Sequence, residues 1–213
     1  MSIAENLAAV ERRIRAACER AGRKRGEVTL VAVSKTFPAE KIDEAIAAGV
    51  THIGENRVQE ARDKKPQVRG AARWHLIGHL QSNKAKDAVQ IFDLIETVDS
   101  IDLAQKIARA SERARNVLLQ VNIGDEPQKS GVAPAEIENV ARQIRAIDGV
   151  NLIGLMAIPP IGDVRPHFRR LRALRDSLGL EHLSMGMSED FEIAIEEGST
   201  MVRIGRAIFG PRT

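Results

Sequence analysis

The sequence has one cysteine, few aromatic residues and no tyrosine, and each shortage excludes a class of chemistry. Cys18 is alone among 213 residues, so no disulfide can form within the chain and a reducing compartment suits it. Aromatic residues make up 3% of the chain, and tyrosine is missing altogether. A reaction that needs a tyrosine of this chain as its acid or base is therefore excluded.

Long apolar runs and blocks of one charge are missing as well. No stretch approaches the ~20 apolar residues that a membrane-spanning helix needs. Glu5, Glu11 and Arg12 occupy the region where a secretory signal peptide carries its apolar core. The formal net charge is +3, and the arginines between 165 and 175 alternate with apolar residues, as on a solvated helix face. We therefore expect a cytoplasmic protein that binds neither membranes nor nucleic acid.

The sequence does contain a regular alternation of apolar and helical segments. Eight short apolar runs are typical of strands, and each is followed by a segment with helical spacing. This alternation predicts an α/β fold with a parallel sheet, and eight units predict closure into a (β/α)8 TIM barrel. An open doubly wound sheet is the alternative, but no Gly-x-Gly-x-x-Gly follows any strand. The predicted strands are residues 28–33, 50–54, 74–78, 92–98, 116–123, 151–157, 182–185 and 200–204.

An extra helix is predicted before the first strand. Residues 2–21 carry apolar residues along one helix face, and Cys18 lies on that face, which predicts a buried thiol. No linker or repeat divides the chain, so we expect residues 1–213 to form a single domain. The other predicted helices cover residues 39–48, 58–67, 134–147 and 164–178, and one that begins at 99 or 100 and ends at about 114. Two further helical segments end near residue 89 and at residue 198.

A single lysine, Lys35, closes the first predicted strand. The run from Val28 to Val33 is long enough for one buried strand, and it stops abruptly at Ser34 and Lys35. Partial desolvation of an ammonium at the mouth of a strand lowers its pKa and makes the amine a usable nucleophile. The alternative is a lysine that ends the strand and reaches out to water.

Polar residues collect at the other predicted strand ends. In a barrel of this kind, chemistry takes place at the C-terminal ends of the strands. No group of carboxylates or cysteines there could hold a metal, and no serine has a histidine and an acid placed for a hydrolase triad. The residues that follow the strands are Lys35, Asn56, His79, Thr97, Asn122, Met156, Ser188, Gly205 and Arg206.

The last two units suggest a phosphate site. Barrels often bind phosphate with the loops after strands 7 and 8, and here Ser188 and the pair Gly205 and Arg206 each precede a helical segment. Ser188 could instead cap its helix, and Gly205 could serve only a tight turn. An amine facing a phosphate cradle suits either a Schiff-base aldolase for a sugar phosphate or pyridoxal 5′-phosphate. Arg203, two residues before Gly205, favours the cofactor because it could face a ring nitrogen.

The sequence resembles the pyridoxal-phosphate homeostasis protein family, small relatives of the alanine racemase N-terminal barrel. The resemblance runs from the first strand to the C-terminus and therefore covers nearly the whole chain. The matching segments are VSKT at 33–36, GEN at 54–56 followed by VQE at 58–60, WHLIG at 74–78, LQSNK at 80–84, QVN at 120–122, KSG at 129–131, GLMA at 154–157, LSMGMS at 183–188 and GSTMVRIG at 198–205.

The resemblance implies specific roles for the residues at the strand ends. Lys35 is expected to form the internal aldimine with the aldehyde of pyridoxal 5′-phosphate. Ser188 and the backbone at Gly205 and Arg206 are expected to hold the phosphate. Arg206 stands where many relatives carry threonine, so its side chain differs from the family pattern.

The resemblance also places Arg203 beside the pyridine nitrogen, and Asn56 near the ring face or its phenolic oxygen. A guanidinium opposes protonation of that nitrogen, and an unprotonated ring is a weak electron sink. A two-base racemase further needs a tyrosine facing the lysine, which this chain lacks. We therefore expect a monomeric carrier that stores the cofactor and passes it to apo-enzymes that depend on it. A weak racemase with Lys35 as its only base is the alternative.

Overall fold

Within residues 2–211, which the computed structural model describes, nine α-helices and eight strands alternate along the chain. The strands are β1 Thr29–Val33, β2 His52–Glu55, β3 Arg73–Leu76, β4 Leu94–Val98, β5 Arg115–Val121, β6 Val150–Ala157, β7 His182–Ser184 and β8 Met201–Ile204. The helices are α1 Ile3–Arg20, α2 Ala39–Ala47, α3 Val58–Lys64, α4 Ala85–Ile91, α5 Ile101–Ala110, α6 Ile137–Arg145, α7 Arg165–Ser177, α8 Phe191–Glu196 and α9 Arg206–Phe209.

The strands form one closed parallel barrel in sequence order, and β1 pairs with β8 to close it. This confirms the predicted (β/α)8 fold. Because every strand runs in the same direction, the residues that follow β1, β2, β7 and β8 meet at one end of the barrel. None of the helices within residues 2–211 has both the length and the apolar character needed to cross a bilayer.

Helix α1 is the predicted extra helix, and it packs along α8 and α9 on the outside of the barrel. Ser2 caps it, because the hydroxyl accepts a hydrogen bond from the backbone of Glu5 while the Glu5 carboxylate accepts one from the backbone of Ser2. Its apolar face is buried, and Cys18 is 1% exposed, as the helical spacing predicted. A salt bridge from Arg13 to Glu192 ties the exposed side to α8.

One predicted helix end is wrong. Helix α5 begins after its N-cap Ser100, as predicted, but ends at Ala110 rather than near residue 114. Ser111 takes an extended conformation with φ −106° and ψ 135°, and its hydroxyl donates to the carbonyl of Ile107. The side chain therefore uses a helix carbonyl, and the chain turns toward β5 four residues earlier than its composition suggests.

Candidate functional site

A cavity of about 450 Å³ opens at the C-terminal end of the barrel, and we call it the site cavity. The six residues predicted to hold a cofactor all line it: Lys35, Asn56, Ser188, Arg203, Gly205 and Arg206. The fold thus brings together side chains from the ends of β1, β2 and β8 and from the loop after β7. The rest of its wall is Val33, Ile77, Ile158, Pro159, Pro160, Ile161, Gly162, Val164, Met187, Glu189, Asp190 and Ile193.

Four other strand-end residues do not line this cavity. His79 is exposed and lies 3.4 Å from a carboxylate oxygen of Asp99. Thr97 is buried and donates to the Gly78 carbonyl at 2.8 Å. Asn122 stabilises its own loop, because its side-chain nitrogen donates to the Glu126 carbonyl and its side-chain oxygen accepts from the Glu126 amide. Met156 packs in a small apolar cluster between strands.

Lys35 follows β1 directly, and the backbone on both sides of it is fixed. The Ser34 carbonyl accepts a hydrogen bond from Lys64 Nζ at 3.0 Å. The Thr36 amide donates to Glu60 Oε1 at 2.5 Å, with Thr36 at φ +71°. A β-branched residue rarely adopts that left-handed conformation, so the surrounding contacts must compensate its cost. The lysine is therefore held by a strained turn.

A buried ion pair, which the sequence analysis does not predict, lies beneath this turn. Lys64 Nζ lies 2.7 Å from Glu55 Oε1, and Ser34 Oγ donates to the same oxygen at 2.6 Å. Burial raises the pKa of Glu55, while hydrogen bonds from Lys64 and Ser34 oppose that rise. One signal was available: Val58, Ala61 and Lys64 recur at a spacing of three, so they share the buried face of α3.

Arg203 is 3% exposed and is anchored inside the barrel end. One guanidinium nitrogen donates to Ser184 Oγ at 2.6 Å, and the other donates to the Ala157 carbonyl at 3.0 Å. Burial lowers the pKa of Arg203, and the charges of Glu96 and Asp190 oppose the shift. Arg203 lines the site cavity, and the sequence did not indicate its anchoring partners on β7 and β6.

The corner predicted to bind phosphate lies where β7 and β8 end. Ser188 does not cap α8, because that helix begins after Asp190, so the capping alternative for Ser188 is wrong. At Gly205 an added Cβ would lie 3.2 Å from the Val33 carbonyl oxygen, so glycine permits close approach of β8 to β1. The Arg206 side chain is exposed and pairs with Glu189 at 2.5 Å across the rim.

Asn56 supplies a polar atom that has no partner within residues 2–211. Its Oδ1 is buried and has no hydrogen-bond partner among the described residues. Gly78 allows this placement, since a Cβ there would lie 2.2 Å from the Asn56 carbonyl oxygen. Buried acceptors are almost always paired, so an unpaired one in a cavity wall indicates a site for a donor from a ligand.

The opposite wall of the site cavity is apolar. Three large apolar side chains that are exposed to solvent all line it, namely Ile158, Ile161 and Met187. Pro159 and Pro160 lie between the two isoleucines in the loop after β6. An apolar wall opposite a few convergent polar groups is the usual composition of a site for a small organic ligand. Across residues 2–211, no group of three or more His, Cys, Asp or Glu could hold a metal.

The donor set and the wall fit a phosphorylated aromatic aldehyde. Lys35 offers an amine, Ser188 a hydroxyl and Arg203 a buried cation, and the apolar wall offers a surface to a flat ring. Asn56 Oδ1 offers the unpartnered acceptor described above. The fold and the site together place this protein in a class of (β/α)8 barrels: those that present a lysine to a ligand at the end of the first strand.

Comparisons with known proteins identify the family. Residues 6–213 match the family described as alanine racemase, N-terminal domain. A pyridoxal phosphate homeostasis protein of Aquifex aeolicus is 43% identical, with 100% of this chain and 99% of that protein aligned. One of Pseudomonas aeruginosa is 43% identical over 99% of this chain and 96% of its own length. The chain belongs to the pyridoxal phosphate homeostasis protein family.

Solved structures agree with this assignment. PipY of Synechococcus elongatus, solved with PLP bound, superposes with a TM-score of 0.85 at 38% identity, covering 98% of this chain and 100% of that one. A crystal structure of a Bifidobacterium adolescentis protein reaches a TM-score of 0.92 at 41% identity over 97% and 94% of the two chains. Alanine racemase from Corynebacterium glutamicum shares the fold at a TM-score of 0.71 and 20% identity, with 95% of this chain on 60% of that one.

Proposed function

We propose that this protein binds pyridoxal 5′-phosphate in the site cavity as a Schiff base on Lys35, and that it serves intracellular homeostasis of the cofactor. The observation that carries the proposal is the convergence of the six predicted residues on one cavity. Two relatives that are named pyridoxal phosphate homeostasis proteins, and the structure of PipY with PLP bound, support it.

The covalent step belongs to Lys35. Its neutral amine condenses with the cofactor's aldehyde, so that one C=N bond forms and one water molecule leaves. The strained turn at Thr36 and the contacts of Lys64 fix the backbone on both sides of the amine, which limits the orientations that Lys35 can take. Bound in this way, the cofactor supplies an aldehyde and a conjugated ring for chemistry on amino groups.

The remaining residues would hold the other parts of the cofactor. Ser188 and the backbone at Gly205 and Arg206 bind the phosphate, and Arg206 reaches it only after leaving Glu189. Arg203 lies beside the pyridine nitrogen and, as a cation, keeps that nitrogen unprotonated. Asn56 then gains the hydrogen-bond donor that Oδ1 lacks within the described protein.

We infer a carrier rather than an efficient enzyme. A racemase that uses two bases needs an acid opposite the lysine, and the tyrosine that would serve is absent from the sequence. An unprotonated ring is also a weak electron sink, which discourages carbanion chemistry. We propose that the protein acts as a single-domain monomer in the cytoplasm and passes the cofactor to apo-enzymes that require it.

Reduction and peptide mapping test the proposal. Purified protein incubated with pyridoxal 5′-phosphate should absorb visible light, and borohydride should fix a pyridoxyl group on the peptide that contains Lys35. Lys35→Ala should abolish both signals, whereas Lys41→Ala, an exposed lysine paired with Glu44 on α2, should retain them. Equal absorbance and equal affinity in Lys35→Ala would overturn the proposal.

The same experiment separates the alternatives. A sugar mass on the trapped lysine would indicate a Schiff-base aldolase. Exchange of the Cα hydrogen of amino acids in deuterated water would indicate a weak racemase with Lys35 as its base. No exchange across a panel of amino acids, together with transfer of the cofactor to an apo-enzyme, is the result expected for a carrier.

A further inference from the structure

The turn that carries Lys35 has a conformation that its sequence does not favour. We call residues 34–37 the lysine turn. The Phe37 amide donates to the Ser34 carbonyl at 3.0 Å, which closes a four-residue turn with Lys35 and Thr36 at its centre. Thr36 has φ +71°, and Lys35 is not among the described non-glycine residues with a positive φ. A positive φ at the third residue alone is the mark of a type II turn, where glycine or asparagine usually stands in the place of Thr36.

A type II turn differs from the commoner type I turn in the orientation of its central peptide. Between type I and type II, ψ of the second residue changes from about −30° to about +120°, and φ of the third residue changes sign. In the lysine turn this peptide joins Lys35 to Thr36, so it contains the Lys35 carbonyl and the Thr36 amide. A β-branched residue at the third position disfavours type II. Another contact must therefore hold the central peptide.

Glu60 on α3 makes that contact. The Thr36 amide donates to Glu60 Oε1 at 2.5 Å. The N–H and C=O of a trans peptide point in opposite directions, so rotation to type I turns the N–H away from Glu60 and brings the Lys35 carbonyl oxygen toward it. That oxygen carries partial negative charge and is repelled by a carboxylate. Glu60 therefore stabilises type II and opposes type I.

Glu60 is itself fixed by Lys64, one helical turn further along α3. Lys64 Nζ donates to Glu60 Oε1 at 2.9 Å and to the Ser34 carbonyl at 3.0 Å. Its third hydrogen bond goes to Glu55 Oε1 at 2.7 Å, so all three donors of the ammonium are used. Burial opposes ionisation of Glu60, yet hydrogen bonds from Thr36 and Lys64 hold the pKa of its carboxyl below the usual range. Glu60 is thus a carboxylate held in one place.

The other end of the lysine turn is attached to α9. The rings of Phe37 and Phe209 stack with centroids 5.1 Å apart and planes at 26°. Phe209 is the last residue of α9, the helix that follows Gly205 at the predicted phosphate corner. The lysine turn is therefore fixed between α3 and α9, and Glu60 is the contact that determines its type.

We propose that Glu60 is a positioning residue for Lys35, because it selects the type II form of the lysine turn and so keeps the amine in one orientation toward the site cavity. The rotamers open to a lysine depend on its own φ and ψ, and ψ of Lys35 differs between the two turn types. A turn that exchanges between them presents the amine correctly for only a fraction of the time, and its reactivity falls by that fraction. The inference rests on the proposed function in taking the Lys35 amine as the nucleophile.

NMR of the unloaded protein measures the form of the turn. In type II, the Cα hydrogen of Lys35 and the amide hydrogen of Thr36 lie close together, so their nuclear Overhauser effect is strong, whereas in type I it is weak. Glu60→Met should weaken this effect and speed exchange of the Thr36 amide hydrogen about tenfold. Glu60→Gln keeps an oxygen acceptor and should lie between Glu60→Met and the wild type. Glu44→Met, which removes a carboxylate paired with Lys41 on α2, is the matched control and should change neither signal.

Rapid mixing measures the reactivity of the amine. Lys35 condenses with pyridoxal 5′-phosphate by forming one C=N bond and releasing one water molecule, and visible absorbance reports the rate. Glu60→Met should lower this rate about fivefold. Pyridoxine 5′-phosphate has an alcohol in place of the aldehyde and cannot form a Schiff base. Its affinity should stay within about twofold of the wild-type value, because the residues proposed to bind phosphate are unchanged. A loss of rate without a loss of affinity separates positioning of the amine from damage to the cavity.

A second substitution tests the cause of the slower reaction. Glycine adopts a positive φ without cost, so Thr36→Gly/Glu60→Met should recover most of the rate and the strong nuclear Overhauser effect. Thr36→Ala/Glu60→Met loses the threonine side chain but keeps the cost of a positive φ, so it should recover neither. Recovery in both double variants, or in neither, would overturn the inference, because the turn type would then not be the cause.

The two measurements separate a failure of this inference from a failure of the proposed function. With wild-type absorbance present, an unchanged rate in Glu60→Met overturns the role of Glu60 and leaves the cofactor in place. If the wild type gives no absorbance with pyridoxal 5′-phosphate, the proposed cofactor is wrong, and the NMR signals decide whether Glu60 selects the turn. If Glu60→Met does not fold, Glu60→Gln and Thr36→Gly/Glu60→Gln replace it, with a smaller loss of rate and the same recovery expected.

Discussion

The two ends of the barrel each have a cavity of nearly the same size, about 450 Å³ at the C-terminal end and about 460 Å³ at the N-terminal end. The second, which we call the N-terminal cavity, lies between α1 and the starts of β1 and β2. Its wall is Ala4, Leu7, Ala8, Glu11, Arg25, Val28, Thr29, Leu30, Ala48, Gly49, Val50, Thr51 and His52.

The two cavities differ in whether their polar groups are already satisfied. In the N-terminal cavity, Arg25 makes two hydrogen bonds to Glu11, at 2.8 and 2.6 Å, so that charge pair is complete within the protein. In the site cavity, Asn56 Oδ1 is buried and unpartnered in the described chain. Cavity volume therefore says little about function here, and the incomplete set of hydrogen bonds says more.

The largest contrast is expected from breaking an ion pair at each end. Lys64→Met leaves Glu55 buried without its cation, which should lower the free energy of unfolding by about 3 kcal/mol near neutral pH. Arg25→Met removes a pair whose side chains are 23% and 30% exposed, and the loss should be about 1 kcal/mol or less. Urea unfolding followed by circular dichroism measures both.

The pH dependence and a double variant check the cause of that loss. Burial raises the pKa of Glu55, and removing Lys64 raises it further, so Glu55 takes up a proton as pH falls. The deficit of Lys64→Met should therefore shrink toward acidic pH. The double variant Lys64→Met/Glu55→Gln should recover part of the stability at neutral pH. A deficit that is constant with pH would show that lost packing, not buried charge, is responsible.

The barrel itself was predictable because its signals are local. Each strand is a short apolar run, each helix has a regular apolar spacing, and alternation of the two restricts the topology to parallel sheets. The end of α5 was not predictable in the same way. Residues 111–114 are compatible with a helix, and the turn at Ser111 depends on where β5 must begin.

The site was predictable only for residues that follow strands. Lys35, Ser188 and Gly205 stand at strand ends, and the barrel geometry alone brings such residues together. The bond from Ser184 to Glu96 joins residues 88 apart in sequence. Both faces of a strand in a parallel barrel are buried, so the sequence pattern does not distinguish the inside of the barrel from the side that faces the helices. The pairing of inward residues therefore required the structure.

A smaller effect on stability is expected at the N-terminal end of the barrel, from protonation of His52 at acidic pH. Burial lowers the pKa of His52 from 6.5 to about 4 in the folded protein. As pH falls, His52 binds its proton in the unfolded chain before it does so in the folded protein. The contribution of neutral His52 to the free energy of unfolding is therefore fully present above the pKa of the unfolded state, and it is lost as pH falls toward the pKa of the folded state. Because the ring is partly exposed, solvent screens part of this shift, and we expect a loss of about 1 to 2 kcal/mol.

His52→Asn isolates this contribution, since an amide can still bond to His75 but does not titrate. Urea unfolding at about pH 7 and about pH 5 should show a smaller loss of stability in the variant than in the wild type. The other titrating groups are the same in both proteins, so their effect on stability cancels when the two losses are compared. Equal losses in both proteins would mean that His52 titrates normally in the folded state.

Asn56 should show a trade-off between stability and binding. Asn56→Ala removes an acceptor without a partner, so the unloaded protein should be as stable as the wild type or about 0.5 kcal/mol more stable, while the affinity for pyridoxal 5′-phosphate should fall about tenfold. Thermal unfolding of the unloaded protein and absorbance titration with the cofactor measure the two quantities.

Asn122→Ala is the matched control for that trade-off. Its amide is fully used by the backbone of Glu126, so the variant should lose stability by about 1 kcal/mol and keep the wild-type affinity. If Asn56→Ala were also destabilised and bound the cofactor normally, the unpartnered oxygen would have no role in binding, and the two ends of the barrel would differ less than proposed.

The smallest effect is expected at the rim of the site cavity, where Arg206 pairs with Glu189. Their side chains are 65% and 79% exposed, so Glu189→Gln should leave thermal stability nearly unchanged. The freed guanidinium should bind a phosphate dianion more readily, and the affinity for pyridoxal 5′-phosphate should rise about twofold at low salt, with the gain disappearing at high salt. Glu44→Gln, which breaks an exposed pair with Lys41 outside the lining of the site cavity, should change neither quantity. A gain that survives high salt would mean that Glu189 restricts entry by its size, and weaker binding would mean that the ion pair itself holds Arg206 in the orientation that the phosphate needs.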